Sequence, residues 1–186
     1  MVCQSYLMKK LLSISLVLLA AVFFVGCGSP RKRAFDNVTK LEKEVSAQSD
    51  KPDSAKVIEL TTAYREFAVR FAGDSLAPAY MLRAGGLFMN MGNPLKAIES
   101  LDELNEKYGT SPQAPQALFL EGFIFENMMG NTTKARELYS MFLTRFPKHD
   151  LADDAQVSLN NLGKTPEQLI HEFEAAAADS VNKTGK

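Results

Sequence analysis

Residues 91–97 read MGNPLKA and residues 129–135 read MGNTTKA, so a short stretch of sequence recurs at a shift of 38 residues. The similarity continues downstream. A third, weaker copy lies earlier at a shift of 37 residues. In chain order, the corresponding large residues are Tyr64, Phe67 and Phe71 in the early, weaker copy, Leu101, Leu104 and Tyr108 in the copy that begins at 91, and Tyr139, Phe142 and Phe146 in the copy that begins at 129. Self-similarity at a fixed period of this size is typical of repeat architectures.

The apolar residues within the copies follow helical spacing. Leu60, Tyr64, Phe67 and Phe71 are three or four residues apart, and Ile58, Thr62, Arg65 and Val69 mark a second face at the same spacing. Helix-start signals recur as Asn93-Pro94, Ser111-Pro112 and a capping box at 165–168. β-Branched residues are sparse. Two helices per unit of about 37 residues predict a helical solenoid.

The marker residues resemble the tetratricopeptide repeat. That motif has a small residue at the start of its second helix, a large residue four positions later and a proline after the helix. Ala135, Tyr139 and Phe146-Pro147 satisfy all three positions, whereas Ala97 and Leu101 satisfy two because Gly109 stands in place of the proline. The resemblance implies that the small residues lie at close helix contacts. We expect the same of Gly85-Gly86 inside its helix.

We therefore predict an all-α fold, a tetratricopeptide-like α-solenoid of about eight antiparallel helices behind a signal peptide. The predicted helices cover 34–48, 54–71, 76–91, 94–108, 113–129, 132–146, 150–162 and 166–178. The predicted segments are a signal peptide at 1–26, a lipidated linker at 27–33, the repeat domain at 34–178 and a flexible tail at 179–186.

The N-terminus has the pattern of an export signal. Lys9 and Lys10 precede an apolar run from Leu11 to Gly26, which is shorter than the roughly 20 residues that a membrane-spanning helix needs. Phe24-Val25-Gly26-Cys27 resembles the bacterial lipobox, in which a lipid is attached to the cysteine and the chain is cut before it. The alternative is an uncleaved anchor. Met8 is an alternative start to Met1, since residues 1–7 fit no signal pattern.

Longer stretches extend the resemblance. The sequence RFPKHDLADDAQ at 145–156 is similar to the lipoprotein subunit of the outer-membrane assembly machine and to the Tol–Pal coordinator. FLEGFIFENMMGN at 119–131 and NNLGKTPEQLIHEFE at 160–174 resemble tetratricopeptide lipoproteins of Bacteroidetes-type bacteria. These likenesses imply an envelope lipoprotein. Residues 28–29, which follow the lipobox cysteine, lack the aspartate that retains proteobacterial lipoproteins in the inner membrane, which favours the outer membrane.

The amino-acid composition of the chain restricts the kinds of partner that it can bind. The chain has 21 basic and 22 acidic residues, and loss of Lys9 and Lys10 would leave 19 against 22, a net charge near −3. Such a balance gives no electrostatic footprint for nucleic acid. The one basic run, at 31–33, reads either as a solvated linker or as a segment attracted to anionic headgroups. After cleavage Cys27 would be the sole cysteine, so no disulfide within the chain is expected.

The sequence carries no recognised catalytic, metal or cofactor motif, and we predict no enzymatic activity and no cofactor. His149 and His171 are the two imidazoles, and His149 has Asp150 and Asp153 nearby. Two alternatives stay open: an accessory or weak hydrolase of peptidoglycan metabolism, and a purely structural spacer. A pocket in which His149, Asp150 and Asp153 converge would favour the hydrolase.

We predict instead a scaffold that binds other envelope proteins in the groove lined by the first helices of the pairs. No small-molecule substrate is evident. Carried over from the repeat, the groove positions are Arg83, Met89, Asn90, Glu121, Asn127 and Met128. Arg83 and Glu121 carry opposite charge at places that a shift of 38 makes equivalent, so we expect them to fix the direction of a bound segment.

Replacement of Cys27 by Ser should abolish lipid attachment, because the thioether requires the thiol. We expect the precursor to remain uncleaved and to incorporate no label from a fatty-acid probe. Labelling and cleavage are read together on a gel of membrane proteins. If the Cys27→Ser variant were labelled as strongly as the parent, the lipobox assignment would be wrong.

Overall fold

A computed structural model describes residues 28–47, 53–172 and 174–175. Its helices with defined ends are α1 (Pro30–Ser46), α2 (Ser54–Arg70), α3 (Ala77–Asn90), α4 (Pro94–Tyr108), α5 (Ala114–Asn127), α6 (Thr132–Arg145) and α7 (Ala152–Asn161). Residues 166–172 are also helical. The predicted all-α solenoid is confirmed. The predicted signal peptide, Cys27 and the tail at 179–186 lie outside the described residues.

Consecutive helices pack against each other along the whole stack, from α1 on α2 to α6 on α7. In addition, α3 packs on α5, which are the first helices of two successive pairs. The first helices therefore lie on the inner, concave side of the solenoid, and the second helices α2, α4 and α6 lie on its outer, convex side. Within the described ranges, no helix is both long and apolar enough to cross a membrane.

The two clearest copies begin their second helix in the same way. The side chains of Asn93 and Asn131 accept hydrogen bonds from the backbone N–H of Lys96 (3.2 Å) and Lys134 (3.0 Å). Each asparagine is preceded by a glycine with positive φ, 71° at Gly92 and 62° at Gly130. Glycine is favoured there because a side chain would be strained in the left-handed region. The recurring Gly-Asn pair is thus a helix stop followed by an N-cap.

Each of these pairs closes around a glycine on its first helix. A Cβ atom placed on Gly85 would lie 2.6 Å from Leu101 Cδ2, and one on Gly122 would lie 2.8 Å from Tyr139 Cε1. Both distances are below van der Waals contact, so α3 and α4, like α5 and α6, approach more closely than an alanine would permit. Gly86 differs, since an added Cβ would meet nothing within 4 Å.

The other marker residues are also at helix contacts. Ala97, Leu101, Ala135 and Tyr139 are all 0% exposed, as the resemblance to the tetratricopeptide repeat implied. Aromatic rings join the first pair to the second. Phe67 lies edge-on to Tyr80 with ring centroids 4.9 Å apart, so the core is continuous between α2 and α3.

The N-terminal boundary differs from the prediction. We placed a linker at 27–33, but α1 already begins at Pro30, with Ser29 Oγ accepting from the N–H of Lys32 at 3.2 Å. The basic run at 31–33 is therefore the first turn of a helix. Arg31 is held in the fold, because its Nε donates to Asp74 at 2.6 Å. Arg31 lowers the pKa of the Asp74 carboxyl.

The glycine contacts can be tested with two neighbouring substitutions. Gly85→Ala and Gly86→Ala gain the same helix propensity, about 0.5–1 kcal/mol, so that gain cancels when they are compared. The difference isolates overpacking against Leu101, and we expect Gly85→Ala to be less stable than Gly86→Ala by about 1–3 kcal/mol. Urea unfolding followed by circular dichroism measures both. Equal stability of the two variants would show that the contact at Gly85 is not tight.

Candidate functional site: the concave pocket

A pocket of about 350 Å³ opens on the concave side between α1 and α3. Its volume is within the range of natural binding pockets. Helix α1 provides one wall, α3 provides the other and α2 forms the floor. The residues that line it are Glu42, Val45 and Ser46 from α1, Leu60 and Tyr64 from α2, and Arg83, Gly86, Leu87 and Asn90 from α3. We call it the concave pocket.

A charged cluster fixes the geometry of the concave pocket. Glu42 Oε1 accepts from Arg83 Nη1 at 2.6 Å and from the hydroxyl of Tyr64 at 2.7 Å. Burial, strengthened by the bond to Glu42, raises the pKa of the Tyr64 hydroxyl, so it remains a donor at physiological pH. Arg83 also lies over the ring of Tyr80, 5.7 Å from its centroid. The guanidinium is therefore held in place before any partner arrives.

Arg83 nevertheless keeps binding capacity. Its side chain is 55% exposed, and the bond to Glu42 uses one of its five N–H donors. Asn90, exposed at the end of α3, offers both a donor and an acceptor. Around these polar groups, Val45, Leu60 and Leu87 supply an apolar lining. The combination suits one apolar side chain of a bound segment, together with hydrogen bonds to its backbone.

The concave side continues onto α5. The first helices are related by a shift of 37 residues, since Gly85 corresponds to Gly122. At this shift Gly86 and Asn90 of the concave pocket correspond to Phe123 and Asn127. Phe123 is 39% exposed, and Asn127 is exposed on the same face, where its Nδ2 donates to the carbonyl of Phe123 at 3.0 Å. A bound segment could therefore extend from the concave pocket to Phe123.

The six predicted groove residues have different positions in the structure. Arg83 and Asn90 come together in the concave pocket, and Asn127 is exposed one unit further along. Met89 and Met128 are partly buried and pack against the central core cluster. These two methionines therefore contribute to packing between units more than to an open surface.

Glu121 is not a groove charge, and this part of the prediction is wrong. Glu121 is only 3% exposed, and Asn105 Nδ2 donates to its Oε1 at 2.8 Å. Burial, followed by the charge of the neighbouring Asp102, raises the pKa of the Glu121 carboxyl to about 8. The carboxyl is thus mostly protonated at pH 7, buried against α4, and cannot orient a bound segment through its charge.

The error has a simple geometric origin. The turn between α5 and α6 is one residue longer than the turn between α3 and α4, so second helices repeat at 38 residues and first helices at 37. Glu121 was assigned to the groove because it lies 38 residues after Arg83. The true counterpart of Glu121 is Ala84, which is 0% exposed. A one-residue slip on a helix rotates a position by about 100°, enough to move it from the groove into the core.

The sequence prediction missed seven of the nine residues that line the concave pocket, and it also missed Phe123 on the same face. Phe123 could have been found, because it lies 37 residues after Gly86. Glu42 could not be assigned in this way, since α1 has no recognisable repeat marker and its partner is set by tertiary packing. Tyr64 was recognised as a repeat residue, but its hydroxyl bond to Glu42 depends on the same packing.

His149 has a structural role. Its Nδ1 accepts from the backbone N–H of Leu151 at 3.1 Å, and its ring lies edge-on to Phe142. These contacts stabilise the turn that leads to α7. In the part of the chain that the structure describes, no group of three or more His, Cys, Asp or Glu residues is placed to hold a metal ion.

Comparison with known families agrees with this geometry. The tetratricopeptide repeat model matches residues 79–111 and 116–149, which are the α3–α4 and α5–α6 pairs. These two segments are therefore tetratricopeptide repeats, a module that typically binds protein partners and lacks catalytic activity of its own. No curated protein matches the chain.

Glu121 should make stability depend on pH. Its folded pKa of about 8 lies above the unfolded value near 4.3, so the folded state binds an extra proton between these limits. The contribution of Glu121 to the free energy of unfolding is therefore full below pH 4 and falls by about 1.4 kcal/mol per unit as the pH rises towards 8.

We expect Glu121→Gln, which keeps the shape and the bond to Asn105, to remove this loss of stability between pH 5 and pH 8. Asp102→Asn should make the loss smaller and end it at a lower pH, because removing the neighbouring negative charge lowers the folded pKa of Glu121. Urea unfolding at several pH values measures both effects. Parallel pH profiles for the parent and Glu121→Gln would show that the carboxyl is ionised in the folded protein.

Proposed function

We propose that this protein is a lipid-anchored scaffold of the bacterial cell envelope. It binds a segment of another envelope protein in the concave pocket and along the concave face towards Phe123. The observation that carries the proposal is the preorganised Arg83–Glu42–Tyr64 cluster beside an apolar lining in a tetratricopeptide solenoid. Preorganised side chains lose little conformational entropy on binding, so more of the contact energy appears as affinity.

The N-terminal boundary supports a role at the membrane. Cys27, the proposed lipid attachment site, is three residues before Pro30, where α1 begins. Three residues span at most about 10 Å of extended chain. The solenoid would therefore be held next to the membrane by a very short tether. Confinement at a surface raises the effective concentration of partners at the same membrane.

The proposed location is the periplasmic face of a bacterial membrane, and we favour the outer membrane. Two features support it: the lipobox-like sequence that ends at Cys27, and the absence of aspartate at 28–29. Partners of such a scaffold would be other envelope proteins.

The double variant Arg83→Ala and Asn90→Ala should weaken partner capture, because it removes the polar contacts at the concave pocket. Loss of such contacts at a binding centre typically costs more than 1 kcal/mol, so we expect capture to fall about tenfold. The measurement is crosslinking in intact cells, followed by affinity purification and quantification of each co-purifying protein by mass spectrometry.

Arg136→Ala is the matched control, because Arg136 is an exposed arginine on α6, outside the concave pocket. It should capture partners as the parent does. Helicity and membrane attachment should be the same in all three proteins. If the double variant captured as much as the parent, or if Arg136→Ala lost as much, the concave pocket would not be the binding site.

A further inference from the structure

A second, larger depression lies on the opposite side of the solenoid, between the second helices α2 and α4. It has a volume of about 490 Å³. Ile58, Thr62, Arg65, Glu66, Val69 and Arg70 line it from α2, Phe88 from α3 and Lys96 from α4. We call it the convex groove. It shares no lining residue with the concave pocket.

One wall of the convex groove is a straight ridge on α2. Ile58, Thr62, Arg65 and Val69 follow the i, i+4, i+7, i+11 spacing that places residues in a line along a helix. Ile58 is 45% exposed and Val69 is 63% exposed. The hydroxyl of Thr62 donates to the carbonyl of Ile58 at 2.8 Å, so it needs no outside partner. The ridge therefore presents two exposed apolar side chains, Ile58 and Val69, and no helix in the described part of the chain is docked on it.

Two features close the base of the convex groove: the buried ring of Phe88 and the ion pair of Arg65 with Glu99. Phe88 is 5% exposed, and Arg65 reaches from α2 to α4, where its Nη2 donates to Glu99 at 2.7 Å. Glu103 is the second carboxylate near the same guanidinium. The charge of Arg65 is therefore compensated within the fold, and this ridge residue links α2 to α4.

Two other cations remain at the ends of the convex groove. Lys96 Nζ lies 5.5 Å from the centre of the Phe88 ring, and the Arg70 guanidinium lies 5.6 Å from that of Phe71. Neither forms an ion pair with another residue that the structure describes. Glu66 is the carboxylate that lines the groove, and it is one helical turn before Arg70 on α2. Each end of the convex groove thus carries an exposed cation, whereas the charge of Arg65 is compensated by Glu99 and Glu103.

The separation of the two cations can be estimated from the repeat. At a shift of 37 residues Lys96 is the counterpart of Glu59, in the first half of α2, whereas Arg70 is at the end of that helix. Eleven residues of α-helix correspond to about 16 Å. A ligand that meets both cations needs two negative groups about three helical turns apart.

The walls of the convex groove favour a helix as the occupant. The backbone N–H and C=O groups of α2 and α4 are used within their own helices, so they offer nothing to an extended peptide. Such a peptide would find backbone partners only among the few polar side chains of the groove, and the rest of its buried backbone would lose hydration without gaining a partner. A helix satisfies its own backbone and buries side chains between the two walls by ridge-into-groove packing.

We infer that the convex groove docks an amphipathic helix of a partner protein. The apolar stripe of that helix lies on the ridge, and two of its carboxylates, about eleven residues apart, contact Lys96 and Arg70. This interaction is additional to the proposed concave binding, and the two surfaces could be occupied together. Apolar burial would supply affinity, and the charged ends would set position and partner choice.

Two synthetic 18-residue helical peptides test this inference. Both carry leucines at the i, i+4, i+7, i+11 spacing, and they differ in having either two glutamates or two lysines eleven residues apart on the flank. Fluorescence anisotropy of the labelled peptides measures binding to the purified protein. We expect the glutamate peptide to bind about tenfold more tightly than the lysine peptide.

Charge reversal provides the decisive variant. Arg70→Glu combined with Lys96→Glu should invert the preference, so that the lysine peptide binds more tightly. Val69→Ser should weaken the binding of both peptides, since it removes an exposed apolar group from the ridge. Arg83→Glu in the concave pocket should leave the binding of both peptides unchanged, which separates this inference from the proposed concave function. Circular dichroism verifies that each variant is folded.

Three results would overturn the inference. The first is equal binding of the two peptides by the parent, or binding of neither. The second is an unchanged preference in the charge-reversed variant. The third is binding to phosphatidylglycerol vesicles through Arg70 and Lys96 with no peptide binding, which would identify the convex groove as a membrane-facing surface.

Discussion

The close approach of two helices at a glycine is the contact on which the other features of this solenoid depend. Gly85 faces Leu101 and Gly122 faces Tyr139, at distances that leave no room for a methyl group. Each pair is therefore locked in one register, with the small residue on the first helix and the large residue on the second. Since every unit of a solenoid contacts only its neighbours, this local register sets how successive pairs stack.

Stacking then determines which side chains are free. First helices approach each other on the inner side, where α1 and α3 enclose the concave pocket around Arg83 and Glu42. Second helices diverge on the outer side, where α2 and α4 leave the convex groove. The protein thus presents two surfaces of different chemistry. One offers hydrogen bonds and a small apolar pocket, and the other offers an apolar ridge with positive ends.

The sequence predicted the fold well because its signals are local. Helix caps such as Asn93 and Asn131, and the small and large residues of each pair, act within a few turns of chain. The groove was predicted less well. Arg83 and Asn90 line the concave pocket, but the position of Glu121 depends on one extra residue in a turn, and the partner of Arg83 is Glu42, on a helix without a repeat marker. Tertiary packing rather than local pattern decides the partner of Arg83. The start of α1, in contrast, follows a local signal that was overlooked, since Ser29-Pro30 is an N-cap followed by proline like Asn93-Pro94.

A double-mutant cycle at the second glycine contact tests the central claim most directly. Gly122→Ala and Tyr139→Val are measured singly and together by urea unfolding. Valine lacks the ring atoms that an added methyl group would meet. The account predicts that Gly122→Ala destabilises the protein by about 1–3 kcal/mol when Tyr139 is present and has no cost in the Tyr139→Val background. Equal costs in the two backgrounds would contradict it.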